Sequence, residues 1–291
     1  MKKLIATFLT LVLVITLLPI NALAAKKITI SHKSLNMITG DTFNGLYLKN
    51  SYIKSAKSSN KKVVSVNEYG DLKAHKSGTA TITLKDYNKK SYKCKVKVYS
   101  KKTVESNITS ERITFKNDDE TETWYLLTNN NPLALDLYVK ITGKKLTGDI
   151  EANETYIFGL PKNGKYLIYA GYLCTSATFK YDISASTRKD YSSYVDIKLK
   201  NQTSDGLITV KNNSDKPLSI YLISVCYNSN NEPIDVLRNT FYTNAHETDQ
   251  ENFYYTTYER EFVDEDGYRD TEYVYNVPDR YDTYYYAILD D

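Results

Sequence analysis

Short runs in which apolar and polar residues alternate, broken by turns rich in Asn, Asp, Gly and Ser, recur from about residue 26 onward, and no stretch sustains a helical period. A period of two sends successive side chains to opposite faces of an extended strand. Thr79-Ala80-Thr81-Ile82-Thr83-Leu84 puts Ala80, Ile82 and Leu84 on one face and three threonines on the other. Tyr92-Lys93-Cys94-Lys95-Val96-Lys97-Val98 does the same with its lysines outward. One dry face and one wet face belong to antiparallel sheets, so an all-β chain of tandem β-sandwiches is expected. A length of 291 residues asks for two or three such cores.

The chain opens differently. Met1-Lys2-Lys3 is basic, Leu4 to Ala25 carries no charge, Pro19 breaks the apolar run, and Ala22-Leu23-Ala24 supplies a small-x-small cleavage site. Residues 1–25 are read as a cleaved secretory signal rather than a lasting membrane anchor. No cysteine follows the site for lipid attachment, and Ala287-Ile288-Leu289-Asp290-Asp291 offers no second apolar span. No membrane span is therefore expected once the signal is removed, and the expected location is secreted, extracellular or cell-wall-associated.

Between Ile28 and Tyr99 a specific pattern appears: Ile28-Thr29-Ile30, Lys33-Ser34-Leu35, Gly40-Asp41-Thr42, Ser58-Ser59-Asn60-Lys61-Lys62-Val63-Val64-Ser65-Val66, Gly70-Asp71-Leu72-Lys73-Ala74, Gly78-Thr79-Ala80-Thr81-Ile82-Thr83 and Tyr92-Lys93-Cys94-Lys95-Val96. The segment resembles the bacterial immunoglobulin-like group 2 (BIG2) domains of bacterial surface proteins. The resemblance implies an immunoglobulin-like sandwich and a role in adhesion, display or wall association. The family commonly carries a core tryptophan four residues before the Asn of Ser-Ser-Asn. Ala56 stands there, and Tyr47 or Tyr52 is expected to fill the space.

Beyond Ser100 the chain repeats itself. Thr128-Asn129-Asn130-Asn131-Pro132-Leu133-Ala134-Leu135-Asp136-Leu137-Tyr138-Val139 parallels Lys211-Asn212-Asn213-Ser214-Asp215-Lys216-Pro217-Leu218-Ser219-Ile220-Tyr221-Leu222. In each copy a strand ends in an Asn-rich turn and a proline opens the next strand. The expected division is a signal at 1–25, a BIG2 immunoglobulin-like domain at 26–100, a β-sandwich module at 101–200, and a related Tyr-rich acidic module at 201–291. The last copy resembles, through its Asn-Asn-Ser-Asp-Lys-Pro-Leu stretch, C-terminal modules that accompany BIG2 domains in exported proteins of clostridia-like bacteria.

Catalytic constellations are missing. Cys94, Cys174 and Cys226 fall one per expected domain and read as buried hydrophobes, with a Cys174–Cys226 bridge between domains left open. His32, His75 and His246 are far apart, and there is no Gly-x-Ser-x-Gly elbow or phosphate loop. Glu259 and Glu261 share a strand face, whereas a glycosidase needs two carboxyls facing each other. A wall-active hydrolase is thus a minor alternative and the expectation is a non-enzyme with no cofactor. The acidic run around Asp264, Asp266 and Asp270 is a weak calcium candidate. It violates the usual calcium-loop template at Phe262 and Tyr273, and a hairpin turn at Asp266-Gly267 explains it more simply.

Tyrosine is over-used, 28 against 8 Phe and 1 Trp. The rings crowd late in the chain, and Tyr254, Tyr255 and Tyr258 are the candidate stacking residues for a carbohydrate- or peptidoglycan-binding role, set against their plain use as strand formers. The net charge of +3 is a cancellation: residues 26–99 carry 16 Lys, no Arg and 4 acids, whereas residues 201–291 carry 6 basic residues against 18 acidic ones. Lysines without arginine suit diffuse attraction to an anionic wall polymer better than bidentate readout of nucleic acid. The expected partner is therefore an anionic cell-wall polymer, or a surface glycan or protein, and no nucleic acid.

Overall fold

The computed structural model describes residues 26–117, 120–263, 265 and 267–290. The expected signal segment and two of the calcium candidates, Asp264 and Asp266, lie outside the described residues. The described chain is all-β, built of tandem β-sandwiches. Among the described residues no helix is long and apolar enough to cross a membrane.

The first unit contains β1 (Thr29–Ile30), β2 (Ser34–Ile38), β3 (Thr42–Phe43), β4 (Leu48–Lys49), β5 (Ser55–Ser58), β6 (Val64–Val66), β7 (Leu72–Ala74), β8 (Gly78–Lys85) and β9 (Ser91–Tyr99). A four-stranded sheet in the order β2-β9-β8-β5 faces a three-stranded sheet in the order β3-β7-β6, and β1 pairs with β4. Strand β2 runs parallel to β9, with Leu35 opposite Val96. The alternation predicted for β8 and β9 is followed residue by residue: Ala80, Ile82, Leu84, Cys94, Val96 and Val98 are buried between the sheets. Neither Tyr47 nor Tyr52 fills the space expected beside Ala56, because both rings are exposed, Tyr52 at 83%. Ala56 sits opposite Leu84 and packs on a core that includes Leu46, Ile53 and Leu72.

A short helix, α1 (Lys101–Ser106), leads into the middle unit: β10 (Ile108–Asn117), β11 (Glu120–Asn129), β12 (Leu135–Lys145), β13 (Ile150–Leu160), β14 (Lys165–Tyr172) and β15 (Cys174–Ala185). The last unit contains β16 (Val195–Asn201), β17 (Asp205–Asn212), β18 (Leu218–Tyr227), β19 (Pro233–Thr243), β20 (Thr248–Tyr254), β21 (Thr257–Val263), β22 (Arg269–Tyr275) and β23 (Arg280–Leu289). Strand orders β10-β11-β14 and β13-β12-β15 in the middle unit match β16-β17-β20 and β19-β18-β23 in the last. The difference is an inserted antiparallel ribbon, β21-β22, where the middle unit has only Leu173 between β14 and β15. Strand β16 pairs along its whole length with β17, so residues 195–200, which the sequence reading gave to the middle module, belong with the last.

The two units are not separate beads. Sheet β10-β11-β14 faces β13-β12-β15 with Tyr125, Leu127, Ile168 and Ala170. It turns its other face, with Ile113, Phe115, Leu126 and Leu167, onto Ile223 and Val225 of β18. Strand β18 in turn gives Leu218, Ile220, Leu222 and Cys226 to the core of its own sandwich. Four sheets are therefore stacked in series, and the central strands of the inner two, β11 and β18, are largely buried on both faces. That explains the near-continuous apolar run of β18, which departs from the alternation of the outer strands. The middle core also takes in Ile38 of the first unit, Val104 of α1 and Ile288 of the last strand. At the first joint, Asp41 Oδ2 accepts both the Ile38 N–H at 2.7 Å and the Ala185 N–H at 3.1 Å. Burial raises the pKa of this carboxyl above its ordinary value.

Candidate functional site

The outer face of the first unit's four-stranded sheet is the most distinctive surface in chemical terms. Because side chains alternate along β9, burying Cys94, Val96 and Val98 sends Lys93, Lys95 and Lys97 outward. The strand register then fixes their neighbours. Lys93 and Lys57 flank Thr83, Lys95 sits opposite Thr81, and Lys85 lies between Ser55 and Ser91. Neighbouring strands are about 4.8 Å apart, so the Lys93 and Lys57 backbones lie roughly 10 Å from each other across Thr83. Lys57, Lys85 and Lys93 line a shallow depression of about 420 Å³ with Ser55, Ser58, Thr81 and Thr83.

Three of the four acids of this unit are engaged elsewhere, and the fourth, Glu68, lies between β6 and β7 beside Tyr47 and Tyr52. Asp86 is buried and accepts the Lys90 N–H at 2.9 Å and the Tyr92 hydroxyl at 3.2 Å. Asp71 accepts from Asn67 at 2.8 Å, and Asp41 holds the joint. Among the described residues, Lys57, Lys85, Lys93 and Lys95 make no ion pair. Lys97 instead lies 4.8 Å from the centre of the Tyr99 ring. Like charges on one face, with no carboxylate among them, produce a positive field that reaches into solvent within a Debye length.

The residues singled out in the acidic C-terminal part are not brought together in the same way. Tyr254 is 78% exposed, but Tyr255 is only 5% exposed: its ring packs edge-on against Phe253 at 5.7 Å and its hydroxyl accepts the Gln202 N–H at 3.3 Å. Tyr255 is thus core, and the pair does not present two rings to a ligand. Tyr258 lies on β21, paired with Val274. Asp270, the calcium candidate within the described residues, opens β22 and accepts the Thr271 N–H at 2.8 Å. The strands on either side of it pair as the hairpin reading predicts, Val263 with Arg269 and Glu261 with Thr271. Among the described residues no group of three or more His, Cys, Asp or Glu side chains is placed to hold a metal ion.

Each histidine has a local partner: His32 with Ser31, His75 with Ser65 and His246 with Asp215. All three cysteines are free and buried, and no bridge joins Cys174 to Cys226. Burial pushes the Cys94 thiol up to about 11 and raises the other two as well, so none is primed as a nucleophile.

A second surface went unnoticed in the sequence. On the outer face of β13-β12-β15, Tyr138 stands directly opposite Tyr156 with ring centres 4.7 Å apart, and Phe158 follows Tyr156 at 6.2 Å with its ring tilted by only 10°. These rings border a depression of about 200 Å³ with Asp136, Asp182 and Ser184. Tyr156 and Phe158 occupy successive outward positions on one strand, which is visible in the sequence. Tyr138 joins them only through the register of the β12–β13 hairpin.

No protein-family model and no curated protein sequence matches the chain. Among solved structures it is similar to a tetra-tandem repeat in the extending region of a large adhesion protein, at 9% identity over 84% of this chain and 74% of that one, with a TM-score of 0.19. It is also similar to Salmonella alpha-2-macroglobulin reacted with methylamine, at 10% identity and a TM-score of 0.18, and to trypsin-activated alpha-2-macroglobulin from Escherichia coli, at 8% and 0.16. The matches cover 86% and 81% of this chain but only 23% and 25% of the two macroglobulins.

Proposed function

We propose that this chain is an exported, non-catalytic protein of the cell surface or wall, acting in adhesion or display, and that the lysine face of its first unit holds it to an anionic surface polymer. The observation that carries the reading is that Lys57, Lys85, Lys93 and Lys95 project from one sheet face on which no carboxylate pairs with them. The resemblance of residues 28–99 to BIG2 domains and the basic, then uncharged, start of the chain support it. Ammonium groups are compact, hydrated point charges that attract a polyanion without demanding a fixed geometry, whereas arginine, absent from residues 26–99, serves bidentate recognition. The 18 acids of residues 201–291 repel the same polymer, so attraction is confined to the first unit.

The test is retention of the full mature chain on immobilised poly(glycerol phosphate). Retention at low salt with release by about 0.5 M NaCl is expected, since that salt shortens the Debye length to a few ångströms. A triple change of Lys57→Glu, Lys85→Glu and Lys93→Glu abolishes retention. Salt-insensitive retention, or none, overturns the reading.

A further inference from the structure

The geometry points to a second binding site, for a neutral oligosaccharide, on the outer face of sheet β13-β12-β15, with Tyr138, Tyr156 and Phe158 as its stacking platform. It lies on a different unit from the lysine face, has a different chemistry, and does not depend on the function proposed above.

Tyr156 and Phe158 stand nearly parallel along β13 at 6.2 Å, and the Tyr138 ring packs against Tyr156 from the neighbouring strand at 4.7 Å. Tyr156 is 64% exposed and Phe158 42%, so the platform is open to solvent. It is also held in place. Glu154, two residues before Tyr156 on β13, accepts from Lys140 at 2.8 Å. The Arg188 guanidinium lies over the Phe158 ring at 5.1 Å from its centre. Asp136 Oδ1 accepts the Gly159 N–H at 2.7 Å, which fixes that carboxylate beside the rings. Flat apolar faces bordered by fixed acceptors are what a pyranose requires: its C–H face lies on a ring while its hydroxyls donate to carboxylates.

The repeat singles out Tyr156 among these rings. In the parallel copy Tyr138 corresponds to Tyr221, which has its own cross-strand partner in Tyr286 at 4.8 Å, and the next outward residues, Ile223 and Val225, are buried against the middle unit. In the middle unit the same face has no sheet over it, and Lys140 and Thr142 replace the aliphatics, as a wet surface demands. The aromatic end of the face is nonetheless kept: Phe158 takes the place of the exposed Tyr242, and Tyr156 that of Thr240.

Charge selects the ligand class. Asp136, Glu154 and Asp182 border the platform, and each has a cationic partner, Arg188 at 3.6 Å, Lys140 at 2.8 Å and Lys101 at 3.8 Å respectively. The site is therefore balanced and offers an anionic polymer no net attraction. Its carboxylate oxygens accept from sugar hydroxyls. Tyr156 and Phe158, 6.2 Å apart along β13, can each meet one sugar, so the ligand is a chain rather than a monosaccharide.

The test uses the full mature chain and two probes, the β-1,4-linked hexasaccharides of glucose and of N-acetylglucosamine, followed by calorimetry and saturation-transfer NMR. Saturable binding of at least one is expected. Tyr156→Ala and Phe158→Ala each weaken it tenfold or more, Tyr156→Phe retains it within about threefold, and Tyr254→Ala leaves it unchanged. Because all three positions are solvent-facing, unchanged thermal unfolding certifies the variants. Binding should persist in salt that strips the chain from poly(glycerol phosphate), which separates this site from the lysine face. Failure of both hexasaccharides to bind, or binding indifferent to Tyr156→Ala, overturns the proposal. Self-association relieved by Tyr156→Ala does so too, by assigning the face to a second copy of the chain.

Discussion

Asn129 and Asn212 occupy equivalent positions in the two repeats and make the same set of hydrogen bonds. Asn129 Nδ2 donates to the carbonyls of Leu133, Leu160 and Pro161, each at 3.0 Å, and its Oδ1 accepts the Asn131 N–H. Asn212 Nδ2 donates to Lys216, Thr243 and Asn244 at 2.8 to 3.1 Å, and its Oδ1 accepts the Ser214 N–H. Both side chains are fully buried. Each amide ties the end of one sheet to the proline-led crossover and to the turn after the facing strand, so it closes the end of a sandwich with one residue.

Replacing either amide strands buried carbonyls, and an unsatisfied buried polar group costs about 1–3 kcal/mol. Asn129→Ala and Asn212→Ala are each expected to lower stability by about 3 kcal/mol in denaturant unfolding. Asn212→Asp, which keeps the acceptor but loses the donors, should be no better than alanine. A loss below about 1 kcal/mol would show that the turns hold without the clamp.

The four-sheet stack predicts that the middle and last units unfold together. Ile223 is buried between them in a cluster that also holds Trp124, the single tryptophan. Truncating a buried isoleucine costs about 2–5 kcal/mol. Ile223→Ala should therefore destabilise the pair by that amount and red-shift the tryptophan emission of the native state, although the change lies in the neighbouring unit. Emission that stays unshifted would mean the two sheets do not share a dry interface.

The same stack marks where sequence reading ran out. Alternation in Gly78–Lys85 and Ser91–Tyr99 exposed the first sandwich and its lysine face, because those strands have one wet side. In Leu218–Tyr227 the row Ile220, Leu222, Cys226 was legible as core, but Tyr221, Ile223 and Val225 form a second dry row whose cover is a sheet about a hundred residues earlier. The continuous apolar run was the available signal for a strand buried on both faces. Tyr255 was misplaced for a related reason. Two adjacent tyrosines at the end of a strand point in opposite directions, and only the fold shows which one meets Phe253.

Thiol chemistry offers a third check. With all three cysteines buried and their thiols raised by desolvation, native protein at pH 8 should give no reaction with a disulfide reagent, and unfolded protein should give three equivalents. The folded Cys94 thiol titrates at about 11 against an ordinary 9.0. Its contribution to stability is complete below pH 9 and is lost as pH rises towards 11, so unfolding free energy should fall across that window and Cys94→Ala should lessen the fall. Rapid labelling of native protein would instead place a thiol at the surface.

Asp235 gives the opposite end of the pH scale. It lies on β19 opposite Cys226, on the face turned to its own sandwich; burial pushes its carboxyl up to about 6 from 3.8, against the Val236 N–H bond that favours the charge, and Glu122 adds to the rise. A raised folded value means the native state holds this proton more tightly than the unfolded chain does. The resulting stability is intact below pH 3.8 and is lost as pH climbs through about 6, so at pH 7 the native state bears a buried charge. Two pKa units correspond to about 3 kcal/mol, which sets the upper limit of the effect. Asp235→Asn keeps an oxygen for the Val236 N–H and removes the charge. It should raise stability at pH 7 by about 1–3 kcal/mol and flatten the profile between pH 4 and 6. A variant no more stable than the parent at pH 7 would show that water reaches this carboxylate.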